Sequence, residues 1–306
     1  HSSAASDVYK RQYKSRMKNH VLPFIGNLEI NSITCDNIAE LAKRIHDKPD
    51  TVERVVQLIK RVFDWAKAKR YFNHDNPADK SGALKFLLPP GKHIPRNRGA
   101  LSVKELPAFM KELHDNFADS NANRCAFFAI LTATRSMTAR EAKWSQIDFE
   151  NRIWDIPPSQ LKMSENGALI VPLADEVIEF LRQIPKTNDR DLIFPNPKGD
   201  VMTDTAFSNV VKNLPSEWID CEQTRSREKK VRATPHGIAR ATFRTWAQDD
   251  ELGNDQKFSD RVAELCLHHK PQDGYNGAYE RNKSFIRRRE MMDAWAKYCF
   301  SLIKQC

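Results

Sequence analysis

The apolar positions of this chain recur with helical spacing through its first quarter. From Asp36, Ile38, Leu41, Ala42 and Ile45 fall on one helical face, and after Asp50 so do Val52, Val55, Val56, Ile59, Val62, Phe63 and Ala66. Asp50 and Glu53 read as a capping box opening that second helix. Its opposite face carries Arg54, Lys60, Arg61, Lys67, Lys69 and Arg70, and is either an ordinary solvated face or one turned to an anionic partner. A small all-helical domain is predicted over residues 13–88. Residues 1–12 show no periodicity and are read as a truncation edge or non-native sequence. PPGKHIPRNRGA, residues 89–100, mixes Pro, Gly and cations and is read as a basic linker.

A second pattern runs over 101–306. Ser102 is a candidate N-cap with Glu105 as its reciprocal partner. CAFFAILTAT is apolar all round, the signature of a buried helix, and it delivers Arg135. That arginine is either a C-terminal dipole partner or a cation held towards a cleft. RIWDIP and ALIVPL are short β-like runs flanking SQLKMSENG, which makes a hairpin with Lys162 at its turn. DEVIEFLRQI and the segment from Thr205 to Leu214 read as helices, and CEQTRSREKKVR as a basic loop carrying Arg225, Lys229 and Lys230. The fold class expected is mainly α with a small antiparallel β-sheet (α+β). Trp144, Trp154, Trp246 and Trp295 are expected in the core.

Charge adds a partner class. The net charge is +9 and the pI about 9.2, so anionic partners are preferred, nucleic acid first and an anionic membrane surface second. Arg54, Lys60, Arg61, Lys67, Lys92, Arg96, Arg98, Arg225, Lys229 and Lys230 are the candidate phosphate contacts. No apolar run reaches membrane-span length and no signal-peptide core is present, so an intracellular protein is expected. Cysteine spacing offers neither a CxxC pair nor a zinc pattern, and reduced thiols are expected. No cofactor and no metal are predicted: His268 and His269 are adjacent, with no carboxylate or cysteine set at ligand spacing.

The candidate chemistry is concentrated near the C-terminus. In ELCLHHKPQDGYNGAYER, Tyr279 follows His269 by ten positions. A phenol with an ordinary pKa near 10 needs a base and stabilising cations to act as a nucleophile. Upstream stand Arg135, Lys162, His236 and Arg240. This order resembles the tyrosine recombinases, and within them the phage and genomic-island integrases. LTATRSMTAREAKWSQIDFENRIWDIP looks like the first arginine box, LKM with IVPL like the lysine hairpin, ARATFRTWA like the second arginine box, and the segment from His269 through MMDAWAKYC like the nucleophile helix. Two departures stand out. The acid usual three residues after the first arginine is Thr138 here, with Glu141 one turn further on. His236 and Arg240 are separated by three residues where the family has two, an extra residue that a bulge at the helix start can absorb.

The resemblance implies a helical core-site DNA-binding domain, a catalytic domain with a C-terminal tail, and loss of the family's N-terminal arm-binding module. It implies DNA cutting and rejoining through a 3′-phosphotyrosyl link on Tyr279, integrating or excising a mobile element such as a viral genome. Arg135 and Arg240 would clamp the phosphate, Lys162 protonate the leaving 5′ oxygen, His236 either assist removal of the tyrosine proton or hydrogen-bond the phosphate, and His269 donate to the phosphate. Expected partners are double-stranded attachment-site DNA, a homotetramer formed on it and DNA-bending accessory proteins, in the cytoplasm of a bacterial host at its nucleoid. Phe300, Leu302 and Ile303 would either dock on a neighbouring protomer or fold back. Tyr275 and His268 are the rival nucleophile and histidine. A type IB topoisomerase-like enzyme and a cleavage-defective DNA-binding remnant are the alternative functions.

Overall fold

The computed structural model describes residues 4–88, 97–117, 120–161, 167–186, 191–269 and 284–303, with side chains from Lys10 onward. Its chain divides into two compact units, His1–Arg96 and Asn97–Cys306.

The first unit is all helical among its described residues. Cys35–Arg44 and Pro49–Ala68 are its amphipathic helices, and Ile38, Leu41, Val55, Val56, Ile59 and Phe63 are buried together with Phe72 and Leu84. Thr34 and Asn37 form the reciprocal cap of the first, with Asn37 Oδ1 accepting from Thr34 N at 2.9 Å. The capping box expected at Asp50 and Glu53 is absent. The longer helix starts one residue earlier with Pro49, whose missing N–H costs nothing in the first turn. Asp50 lies in that first turn, where a carboxylate meets the positive helix end. Glu53 instead accepts from Gln57 at 2.9 Å and pairs with Lys80. Residues expected to be irregular include a helix, Ala4–Arg16, continued by a π turn at Met17–Val21. Its sequence is largely polar and so carried no apolar period. Val62, counted on the apolar stripe, is exposed.

The second unit is built around the helix Asn121–Leu131, in which every side chain from Cys125 to Leu131 is buried. Strands β1 (Ile147–Asp148), β2 (Ile153–Ile156) and β3 (Leu169–Pro172) form an antiparallel sheet in that order, with Trp154 opposite Val171. The expected hairpin is β2–β3; β1 is too short to leave a period-two signal. The C-terminal helix Phe285–Phe300 crosses the core, and Trp295 Nε1 donates to Ile130 O at 2.8 Å. Trp154, Trp246 and Trp295 are buried, whereas Trp144 lies on the core's edge with Lys186 Nζ 5.1 Å over its ring. Phe300 folds back against Phe127, with ring centroids 5.5 Å apart, and Ile303 is buried while Leu302 is exposed.

Two local expectations are corrected. The segment from Cys221 is a helix, Cys221–Arg227, rather than a loop, because Asp220 caps it by accepting from Gln223 N at 2.8 Å. Ser102 does not cap a backbone N–H: its hydroxyl donates to the Glu105 carboxylate at 2.5 Å, ahead of a 3₁₀ turn at Val103–Glu105.

Residues 97–101, mostly expected as linker, are hydrogen-bonded into the second unit. Ala100 N donates to Asp220 Oδ2 at 2.8 Å and Thr234 N to Gly99 O at 2.8 Å. The buried Thr242 hydroxyl accepts from Leu101 N at 3.1 Å and lies 2.9 Å from Leu101 O. The backbones touch: a Cβ on Gly237 would lie 2.0 Å from Gly99 O, and one on Gly99 2.2 Å from Arg232 O.

Candidate active site

Arg240 is the fixed point of the site. Its Nη1 donates to Ala133 O at 3.2 Å, its Nη2 donates to Leu267 O at 2.9 Å, and Nη2 lies 2.6 Å from His269 Nε2. One guanidinium thereby ties two segments that are far apart in sequence, at Ala133 and at Leu267–His269, to its own helix, a task suited to a planar five-donor fork. Burial, with Arg135 close by, pushes it down to about 9, so it remains charged at neutral pH.

The segments that Arg240 joins share a construction. The helix Asn121–Leu131 ends with Ala133 left-handed at φ 51°, and Ala133 N and Thr134 N donate back to Ile130 O and Ala129 O. The helix Asp260–Cys266 ends with His268 left-handed at φ 53°, and His268 N and His269 N donate back to Leu265 O and Glu264 O. Both are Schellman endings with a non-glycine residue where glycine is usual. The first places Arg135 just beyond the turn, as N-cap of the short helix Ser136–Arg140. Its guanidinium is half-buried, is pushed down by that burial, and makes no hydrogen bond or ion pair among the described residues. Arg135 thus lies outside the helix Asn121–Leu131 and makes no hydrogen bond to that helix's terminal carbonyls among the described residues.

The second ending sets His269. Its Nδ1 lies 2.6 Å from Glu264 Oε2, and Glu264 Oε1 accepts from Arg244 Nε at 2.8 Å. Nδ1–H therefore donates to Glu264, and Nε2 accepts from Arg240. Burial pushes His269 down, Glu264 opposes it, and Arg240 adds to the lowering. Burial pushes Glu264 up, but its hydrogen bonds to His269 and Arg244 hold it below the usual carboxylate range. The rival His268 is buried, and neither ring nitrogen has a hydrogen-bond partner among the described residues. Its burial, with Arg135, Arg288 and Arg240 nearby, pushes it down to about 4.

His236 lies in the first turn of a helix capped by Thr234, whose Oγ1 accepts from Gly237 N at 3.1 Å. The next residues, Ile238–Thr242, are a π turn, and this wide turn accommodates the extra residue between His236 and Arg240. His236 Nε2 lies 3.3 Å from Asp204 Oδ1, and its ring stands edge-on to Phe207. His236 and Arg240 both line a cleft of about 890 Å³, together with Arg98 and Lys104.

The structure thus brings together Arg135, Arg240 and His269, with His236 on the same cleft as Arg240. Lys162, Tyr275 and Tyr279 lie outside the described residues, as do Lys92 and Arg96. Glu141 makes no hydrogen bond to Arg135 among the described residues, and Thr138 is buried. Among the candidate phosphate contacts, Lys60 pairs with Asp64 at 3.0 Å, Lys67 with Asp75 at 3.6 Å and Lys230 with Glu217. Arg61 donates to Tyr13 Oη at 2.8 Å. Arg54, Arg98, Arg225 and Lys229 are exposed with no ion pair among the described residues. The residue reading missed Glu264 and Asp204; the one is five positions before its histidine and the other thirty-two, spacings with no local signature.

The sequence pattern described as phage integrase central domain matches residues 1–83, including the first dozen, and that of the phage integrase family matches residues 100–248. The integrase of Enterobacteria phage P4 is 24% identical over 317 residues, covering 96% of this chain and 66% of that protein. Prophage integrase IntA of Escherichia coli K12 is 26% identical over 298 residues, covering 95% and 64%. The chain thus spans about two thirds of the length of these relatives. A lambda integrase dimer bound to a core site superposes with a TM-score of 0.59 at 16% identity, covering 85% of this chain and 87% of that one. A lambda integrase tetramer bound to a Holliday junction gives 0.61 at 16%, covering 88% and 73%. At that identity the likeness speaks for the fold, here the α+β fold described above, while the two sequence patterns, which lie one in each unit, speak for descent: the chain belongs to the phage integrase family of tyrosine recombinases.

Proposed function

We propose that this chain is a site-specific DNA recombinase that integrates or excises a mobile element by cutting and rejoining DNA through Tyr279. The observation that carries the reading is the pair of arginines. Arg240 is buried and held on two carbonyls beside His269, and half-buried Arg135 has no protein partner among the described residues. Two neighbouring cations partly withdrawn from water, one anchored and one with its donors uncommitted, are suited to a phosphodiester whose non-bridging oxygens gain charge during attack. In this reading the tyrosine oxygen bonds to phosphorus, its proton goes to His236, and the bond to the 5′ oxygen breaks as Lys162 supplies that oxygen's proton. His269, oriented by Glu264 through Nδ1, hydrogen-bonds the phosphate through Nε2 once that nitrogen is protonated and has let go of Arg240. The phosphotyrosyl link conserves the ester bond, so rejoining runs the same steps backwards without an external energy source.

The partner is double-stranded attachment-site DNA, gripped by the units His1–Arg96 and Asn97–Cys306 as core-binding and catalytic domains, in a homotetramer with DNA-bending accessory proteins. The dimeric and tetrameric DNA complexes of lambda integrase support the assembly of copies on DNA. No described helix is long and apolar enough to cross a membrane, and the host cytoplasm at the nucleoid is the expected place of action.

Covalent trapping tests the reading. The protein is incubated with nicked, sheared DNA from its source and denatured, and the protein-bound fragments are sequenced. Adducts sharing one sequence, lost in Tyr279→Phe and kept in Tyr275→Phe, are expected. Scattered adduct sequences would point to a topoisomerase, and DNA binding without adducts to a cleavage-defective remnant.

A further inference from the structure

The reading above asks His236 to take a proton, and the carboxylate at its ring decides which nitrogen can do so. Asp204 opens a short helix, Asp204–Ser208, whose cap is Thr203, with Oγ1 accepting from Ala206 N at 3.2 Å. Asp204 Oδ1 accepts from Ser136 Oγ at 3.0 Å and from Arg140 Nη2 at 3.4 Å, besides lying 3.3 Å from His236 Nε2. Arg140 is itself anchored, its Nη1 donating to Met202 O at 2.6 Å. The carboxylate is therefore held from two directions before the histidine is considered. On the other side of the ring, His236 Nδ1 is buried and has no hydrogen-bond partner among the described residues. Phe207 stands against the ring at 5.1 Å and 80°, which limits its rotation.

We infer that Asp204 is a positioning residue for His236: it holds the imidazole as the Nε2–H tautomer and leaves Nδ1 as the atom that accepts the proton. The opposite tautomer would set the Nε2 lone pair against a carboxylate oxygen and bury an unpaired N–H at Nδ1, two penalties that the Nε2–H form avoids. Once Nδ1 takes the proton, the imidazolium faces one anion, Asp204, and two cations, Arg98 and Arg140. The two histidines of the site are thus oriented through opposite nitrogens. Glu264 engages Nδ1 of His269 and Asp204 engages Nε2 of His236. This inference rests on the proposed recombinase chemistry for its consequence, but not for its geometry.

Long-range ¹H–¹⁵N spectra of ¹⁵N-histidine-labelled protein test it, with His236 assigned by its loss in His236→Gln. At neutral pH Nε2 is expected to carry the proton and Nδ1 to be bare. In Asp204→Asn, which keeps the side chain's size, the His236 midpoint is expected to move to lower pH. A proton on Nδ1 in the parent, or an unchanged tautomer and midpoint in Asp204→Asn, would overturn the inference. In the trapping assay Asp204→Asn is expected to form adducts roughly tenfold more slowly or worse, with the acid limb of the pH profile displaced to lower pH. A uniform slowing at every pH would show a structural role only and also overturn it. A parent protein that forms no adduct would sink the recombinase reading, while the spectra would still decide the role of Asp204.

Discussion

Arg240 shows what a single residue does here: its position is set by Ala133 O and Leu267 O, so its charge is delivered to one place before any ligand arrives. Glu264 does the same for His269. Replacing it in Glu264→Gln keeps the shape and removes the charge that favours a protonated His269. If His269 acts as a donor, adduct formation should fall off at lower pH on the alkaline side, the limb opposite to that affected by Asp204, and pH–rate profiles of the two variants should separate them. His268 gives a stability prediction. Its pKa is about 4 in the folded protein against about 6.5 when unfolded, so the unfolded chain binds more protons between those values. Stability is therefore lost as pH falls from about 6.5 towards 4, by up to about 3 kcal/mol. His268→Asn, a residue that tolerates the left-handed conformation, should flatten this loss in urea unfolding followed across that range. The arginines, histidines and tyrosine stood in recognisable sequence settings. Their carboxylate partners did not, because a hydrogen bond between residues thirty-two positions apart is a property of the fold alone.

Helix ends and one irregular helix place these residues. Four described helices end with a non-glycine residue left-handed: Ala133, His268, Arg70 at φ 62° after Pro49–Ala68, and Glu228 at φ 49° after Cys221–Arg227. Ala133 and His268 are buried, so glycine there would trade strain against lost packing. Arg70 is exposed and offers a clean measurement. Arg70→Gly should stabilise the first unit by about 1 kcal/mol, read as a rise in the denaturation midpoint. An unchanged or lower midpoint would mean that the arginine stem contributes packing. The amphipathic helices and the β2–β3 hairpin were legible because apolar residues repeat with the period of the element. The helix at Cys221 was hidden by its charge, although Asp220 and Gln223 have the spacing of a cap. The π turn at Ile238–Thr242 was signalled by one residue too many between His236 and Arg240, a count that indicates a bulge but does not say whether it lies in a helix or a loop.

At the scale of the whole molecule, a net charge of +9 predicts DNA affinity that falls steeply with salt. The structure sorts the contributors. Arg98 and Arg225 are exposed and have no ion pair among the described residues, so each alanine variant should weaken binding and reduce the slope of log affinity against log salt by about one. Lys60 is already engaged by Asp64 and Asp79, and Lys60→Ala should leave the slope nearly unchanged. Filter binding over a salt series would show an error in this division as a Lys60 effect equal to that of Arg98. Composition reveals such a charge but not its neutralisation, which depends on which acids the fold brings near. The two-unit division was legible from the irregular stretch between them, but its edge was not. Asn97 to Leu101 belong with the second unit because the backbones of Gly99 and Gly237 touch. Anyone building a chimera, with a foreign module grafted onto the second unit, should therefore place the splice within residues 89–96. A junction four residues later would replace a piece of the seat on which His236 rests, and the hybrid would bind its new target with a misaligned centre.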